Sequence, residues 1–468
     1  MINRKFIIMS LLILILMSVQ CVSAIDDADV NVIGENGDND ILSVPSEEQS
    51  YTELKNLIDS AMDNNRDNIT LEYNYKHAGA QSSDPSDGID ITKDLTIIGN
   101  GAYIDGSDVS SLFNIADGVT VTLKNLTIKN SGKVASSEAD CHRAITAGTG
   151  TTLNVINCTF DSNKAGEEWQ FNDVDWEGSA IYSYGNVNIQ NSSFLNNVVH
   201  HYGVIFSFGT VTANNSYFYN NKAVNHESSG GGVIYANYVD IIENCTFISN
   251  IANAGGSIFV FAGTTKIRNS TFDGKGTEQY SQRYADNGGA ILAYFAHEGL
   301  EIEDSTFANF TSMSDGGAVF VLNEDSNTVI KNTSFYKNSG AHGGFIYTYG
   351  SVTLSDSHSI YGNGRLQYPA TANGGAIYAK GDVAVNNTDF GYNSADVAGG
   401  AIYSEKNVYF YNSKANGSAD TSFGSGDGGF IYAEGNVEVE NSTIASIYMK
   451  DATQGKYFSG AVFTKKIS

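Results

Sequence analysis

Short apolar runs recur along most of this chain, and polar residues interrupt them at fixed places. In one copy the paired glycines of Gly374-Gly375-Ala376-Ile377-Tyr378 open an apolar run. A second, alternating run follows at Val383-Ala384-Val385, and the copy closes on Asn387-Thr388-Asp389-Phe390 and Asn393. Paired glycines return at Gly231, Gly255, Gly288, Gly316, Gly343, Gly399 and Gly428, and from Gly288 onward the successive intervals are 28, 27, 31, 25 and 29 residues. Self-similarity at such a period marks a stacked array of supersecondary units. Alternation inside each run has the two-residue period of a strand. With 49 glycines and three prolines in 468 residues, the chain suits many short strands joined by tight turns rather than helices. About a dozen coils are expected, at the strand spacing of a β-ladder.

One segment breaks the two-residue period. Leu54, Leu57, Ile58 and Ala61 recur at helical spacing, and Ser50 stands three residues before Glu53, the arrangement of a capping box. This predicts a helix over 51–62. A solenoid exposes an apolar cross-section at its first coil and needs a cap there, so the helix is assigned to that place. The rest divides accordingly. Residues 1–24 read as a signal peptide: Arg4 and Lys5 precede an apolar run from Phe6 to Met17, and Val22-Ser23-Ala24 offers a cleavage site. That run is short for a membrane span. Residues 25–50 read as an acidic flexible leader, 51–94 as an N-terminal cap of helix and strands, and 95–468 as the repeats, with the chain ending inside a new repeat at Gly460-Ala461-Val462-Phe463.

The period also predicts the interior. The phenylalanines of the closing motif, from Phe160 through Phe194, Phe218, Phe247, Phe272, Phe307 and Phe335 to Phe390, are expected to form an internal ladder. The residue three before each, such as Asn157, Asn244, Asn269, Asp304 and Asn332, is expected to bond along the stack, amide to amide. The residue four before, in successive copies Glu243, Arg268, Glu303 and Lys331, alternates in sign and predicts an outer ion-pair ladder. Cys158 and Cys245 hold one repeat position with two other copies between them, a separation of about 14 Å, too far for a disulfide. Both are expected to be free and buried.

Composition narrows function. With 52 acidic and 26 basic residues the net charge is −26, which argues against a phosphate-backbone partner and therefore against nucleic acid. The motifs Gly-Gly-Ala-[Ile/Val] and Phe-x-x-Asn resemble the repeats of chlamydial polymorphic outer-membrane proteins. The opening Leu95-Thr96-Ile97-Ile98-Gly99-Asn100-Gly101, with Ile104-Asp105-Gly106 and Val121 to Ile128, is similar to adhesin-like surface proteins of methanogenic archaea. The resemblance implies an all-β fold, a right-handed parallel β-helix solenoid of the pectin-lyase-like kind with a short N-terminal capping helix. It also implies display on a cell surface. Such proteins usually continue into further anchoring segments, so a shortened product is expected here.

Enzymes share that fold, so chemistry has to be sought at the residues. Asn387-Thr388-Asp389 matches a tripeptide of polygalacturonases, but neither the paired aspartates nor the Gly-His-Gly that should follow is present. No catalytic residue is assigned. Asn172-Asp173-Val174-Asp175-Trp176-Glu177 offers closely spaced oxygens for Ca²⁺ but lacks the spacing and glycine of a dedicated loop. It reads as a solvated acidic loop, and no metal ligand or cofactor is assigned. Asn-x-[Ser/Thr] sites at Asn157, Asn191, Asn244 and elsewhere follow from the repeat itself. The length variation is concentrated just before each glycine pair. The insert 164–177 holds both tryptophans, Trp169 and Trp176, with Phe171, Asp173 and Asp175; that of 276–287 holds Tyr280 and Tyr284. Aromatic faces beside a few polar groups are the composition of a ligand site, and these seven residues are the expected glycan-binding positions. The leading expectation is a secreted, extracellular cell-surface adhesin-like protein. It would bind a polysaccharide, a cell-surface glycan or a neighbouring cell through corner loops, with no integral membrane span once the signal is removed. A polysaccharide lyase or glycoside hydrolase, and a structural wall spacer, are the alternatives.

Overall fold

The computed structural model describes residues 44–132, 143–165, 177–225, 228–276, 287–295, 299–359, 362–364, 373–416, 428–445 and 461–465. All of these belong to one compact unit, Ser43–Ser468. It is an all-β solenoid whose strands pair in parallel, each with its counterpart one turn away. About twelve turns carry the regular repeat, and the N-terminal turns extend the stack, so that one sheet holds 15 strands. A second sheet of 26 strands takes the two strand segments that follow each glycine pair. The helix runs from Tyr51 to Asp63 with the reciprocal Ser50–Glu53 capping box, and buries Leu54, Ile58 and Ala61. Immediately before it, Glu48–Ser50 pairs with Asn74–Lys76; the segment read as leader therefore ends in a strand.

One turn shows how the sequence builds the rest. Ile181–Ser183, Asn186–Gln190 and Ser193–Leu195 lie beside Ile205–Asn214 and Tyr217–Tyr219 of the next turn. Ile181, Val187, Ile189 and Phe194 point inward and are buried. The first glycine of each pair takes a left-handed backbone, as at Gly374 with φ 63°, where a Cβ would run into the Ile377 carbonyl. The corner before the phenylalanine is also left-handed: Asn157, Asn191, Asn244 and Asn387 have φ of 54°, 50°, 53° and 47°. Asparagine tolerates that region better than other side chains with a Cβ. The corner amides bond between turns as expected, Asn157 Nδ2 to Asn125 Oδ1 and Asn269 Nδ2 to Asn244 Oδ1.

Three further columns run through the interior. Phe160, Phe194, Phe218, Phe247 and Phe272 stack at centroid separations of 4.4–5.5 Å. After Phe307, which lies 5.6 Å from Phe345 at a tilt, the column differs from the expectation. The turn after Phe335 has Ser359 at this position, and the missing ring is supplied by Phe345 of the same turn, stacked on Phe335 at 4.3 Å. One turn beyond Phe390 the same exchange occurs, with Ala415 in the ladder position and Phe410 where Val385 stood. Beside the phenylalanines runs a small-residue column. Cys158 N–H donates to Ser192 Oγ, Ser192 N–H to Ser216 Oγ and Cys245 N–H to Ser270 Oγ, at 3.0–3.1 Å. Cys158 and Cys245 are free and buried. The third column is asparagine, the last residue of Phe-x-x-Asn. Asn163, Asn197 and Asn221 are wholly buried and bond amide to amide from turn to turn. The column is interrupted where Lys275 and Phe310 take its place.

Candidate aromatic binding face

In strands such as Ile377-Tyr378 the isoleucine points inward, so the next residue points out by the two-residue period. This places one aromatic or large apolar residue per turn on the outside of the larger sheet. Tyr182, Phe206, Tyr235 and Phe259 stack at 5.2, 5.3 and 4.6 Å. Leu292 takes the next turn, and Phe320, Tyr347, Tyr378, Tyr403 and Tyr432 continue the row at 4.7–5.3 Å. The ladder spacing of the sheet sets these separations. Close packing leaves the row largely covered, with Phe206 4% and Tyr347 6% exposed.

A second, outer row stands clear of it. Tyr184, Phe208, Tyr238, Phe261 and Phe295, one from each of five successive turns, are 38–49% exposed. Tyr184 and Phe208 meet the inner row nearly at right angles, at 83° to Tyr182 and 81° to Phe206. Exposed aromatic surface gathered from successive turns on one face marks an interaction site. Beside it on the next strand lies a hydroxyl–amide ladder, in which Asn154 Nδ2 donates to Thr122 Oγ1, Asn188 Nδ2 to Asn154 Oδ1 and Thr212 Oγ1 to Asn188 Oδ1. Each of these groups keeps capacity for a further bond. On the other side the residues before the glycine pairs are Tyr202, Gly230 and Ala254, bridged in sequence.

Charge enters at the two ends of the face. The Arg143 guanidinium lies over the Tyr182 ring at 4.3 Å, and its Nε donates to the Glu177 carbonyl. Further along, Tyr378 Oη donates to Glu405 at 2.8 Å, Lys380 sits over Tyr349, and His342 Nδ1 lies 2.7 Å from Asp315 Oδ1. Burial pushes the Tyr235 and Tyr403 phenols up to about 12. Tyr347 and Tyr378 are raised too, first by burial, then by the nearby carboxylates. These hydroxyls stay protonated and act as donors through the neutral range.

The seven expected positions, Trp169, Phe171, Asp173, Asp175, Trp176, Tyr280 and Tyr284, lie outside the described residues, as does most of the acidic loop around them. The described ends of those inserts, Glu177 and Asn287, join the column beside the inner aromatic row. The outer row itself was missed. Its signal is the aromatic residue three or four places after each inward isoleucine, as at Tyr184, Phe208, Tyr238, Phe261 and Phe295. Among the described residues no group of three or more His, Cys, Asp or Glu is placed to hold a metal ion, and no helix is long and apolar enough to cross a membrane.

A family model for the Chlamydia polymorphic membrane protein (Chlamydia_PMP) repeat matches residues 215–237. That stretch contains Phe218-x-x-Asn221 and Gly231-Gly232-Val233-Ile234-Tyr235. No curated protein matches the chain significantly. Among solved structures, the A-module of the mannuronan C-5 epimerase AlgE6 from Azotobacter vinelandii is similar over 89% of this chain and 96% of that module, at 12% identity and a TM-score of 0.30.

Proposed function

We propose that this chain is a secreted, surface-displayed adhesin-like protein that holds glycan on the aromatic face of its solenoid. The observation that carries the reading is the outer row, Tyr184 to Phe295, exposed on five successive turns. Aromatic rings offer apolar area to the C–H side of a sugar, while the adjoining amides and hydroxyls bond its hydroxyl groups. The chlamydial-type repeat over 215–237 supports surface display, and the signal-like 1–24 supports export. Trp169, Trp176, Tyr280 and Tyr284, which lie outside the described residues, are proposed as further glycan-binding positions on the composition of their inserts. Binding of the full secreted chain to a panel of polysaccharides and to whole cells tests the reading. Wild type is retained, and Phe208→Ala with Phe261→Ala is not. Equal retention of both would remove the site from this face, and no retention of either would end the glycan reading.

A polysaccharide-active enzyme is the second reading, and one observation favours it. Asp315 holds His342 through Nδ1, which fixes the tautomer that presents Nε2 as a base, and Tyr347 and Tyr378 lie alongside. Release of new reducing ends or unsaturated products by wild type, lost in His342→Gln, is the outcome that would prefer it.

A further inference from the structure

We propose that the five-turn outer row binds an extended, uncharged polysaccharide that lies along the solenoid axis with one sugar unit per turn. This rests on the glycan-binding reading above and narrows it to a ligand class and an orientation.

Periodicity carries the first half of the argument. Each of the five turns offers one exposed ring; the first four set a covered ring beside it, and the first two add an amide or hydroxyl, Asn188 and Thr212. Tyr182, Phe206, Tyr235 and Phe259 follow one another at 5.2, 5.3 and 4.6 Å, and Tyr184 lies 5.0 Å from Phe208. That repeat is close to the advance of one pyranose unit in an extended chain. A ligand with the same repeat, laid along the axis, meets an equivalent contact at every turn, and the contacts add as tethered binding units do. The same ligand laid across the strands meets the rings of one turn alone.

Charge carries the second half. The columns next to the row carry few charges and no net positive one: Glu177, Tyr202, Gly230 and Ala254 follow one another on one side, and Asn188 and Thr212 on the other give way to Lys266 paired with Glu301 at the fourth and fifth turns. No cationic column accompanies the rings. Lys380 and Lys465, further along, are engaged with Tyr349 and with Glu434. A polyuronate or sulfated chain would bring one negative charge per unit to a protein whose net charge is −26, with only Arg143 over Tyr182 and Lys266, itself beside Glu301, near the row to offset it. A neutral chain avoids that repulsion and uses what the face offers, apolar ring surface and hydrogen-bonding groups.

The test is calorimetric titration of the full secreted chain with β-1,4-linked gluco-, manno- and xylo-oligosaccharides of two to eight units, beside oligogalacturonates of the same lengths. The expected result is an affinity that climbs steeply to about five units and then levels off in at least one neutral series, with oligogalacturonates at least tenfold weaker at low salt. Tyr184→Ala with Phe208→Ala, which removes one end of the row, moves the plateau to shorter chains without shifting the melting temperature. Affinity independent of length, tighter binding of the uronate series, or a second copy of the chain found covering Phe261 by ultracentrifugation and cross-linking would each overturn the inference. Of these, length-independent or uronate-preferring binding leaves the glycan-binding reading standing. Failure of every glycan to bind removes both.

Discussion

Asn197 Nδ2 donates to Asn221 Oδ1 at 2.9 Å, one turn further along the solenoid, and both side chains are fully buried. Asn197 also donates to the Phe160 carbonyl and accepts from the N–H and the amide of Asn163. All the main bonding capacity of one side-chain amide is thus used inside the protein. Replacing Asn221 by alanine strands the Asn197 amide and N–H and the Phe194 carbonyl. The expected loss is about 2–4 kcal/mol, since each buried group left unpaired costs ~1–3 kcal/mol. Denaturant unfolding reads it directly, and a loss under half a kcal/mol would show that the column contributes little.

The exchange of Phe410 for an aliphatic residue and of Ala415 for phenylalanine in one turn predicts strong coupling. Ala415→Phe alone overfills the core, at roughly 1–3 kcal/mol. Phe410→Val alone leaves a cavity and destabilises by about 1–3 kcal/mol, somewhat less than a full truncation to alanine. The double variant restores the pattern of the preceding turn, Val385 with Phe390, and should recover much of both losses. Additive losses in a double-mutant cycle would contradict the compensation.

The outer charged column is expected to matter less. Arg268 and Lys331 both face Glu303, at 3.9 and 3.0 Å, all three about half-exposed. Arg268→Glu should lower stability by at most ~1 kcal/mol, should lose that effect in high salt, and should leave glycan binding unchanged. Loss of binding at unchanged melting temperature would make the column functional.

Alkaline pH gives a further test. Burial pushes the Cys158 and Cys245 thiols from 9.0 up to about 11 and about 12, and the Tyr75 phenol from 10.0 up to about 12. The folded state holds these protons more tightly than the unfolded state. Their contribution is therefore complete below pH 9 and declines as pH rises through 11 to 12. Melting temperature should fall across that window, less steeply in Cys158→Ser with Cys245→Ser. At pH 8 neither thiol should react with an alkylating reagent until the chain unfolds.

On the binding side, Phe208→Ala and Phe261→Ala should weaken glycan retention with little change in melting temperature, since these rings are about two-fifths exposed. Trp169→Ala and Trp176→Ala, made in parallel, divide the work between the strand face and the insert. If the tryptophan variants alone lose binding, the insert is the site and the strand face is not.

Much of the interior was legible because it depends on local period. The Ser50–Glu53 cap, the left-handed corner at Asn157 and its equivalents, the phenylalanine ladder as far as Phe307 and the buried thiols all follow from which residue types recur at which offset. Phe345 escaped because its partner, Ser359, lies fourteen residues away in sequence, so the replacement makes sense only once the turn is closed. The outer row escaped for a related reason. Tyr184 and Phe208 are as apolar as the core residues beside them, and alternation along the strand sets them outside, where they are 46% and 42% exposed.

The asparagine column has a consequence for how such a chain changes length. On either side of the break at Lys275 and Phe310, each turn hands its successor the same donors and acceptors that it received from its predecessor, as Asn163, Asn197 and Asn221 do. One copy can be duplicated or deleted in the gene without leaving a bond unmade at the seam. The compensation of Ser359 by Phe345 sits inside a single turn and is inherited with it. The reach of the molecule can therefore grow or shrink in whole repeats by slippage during replication, and the aromatic face lengthens or shortens in step.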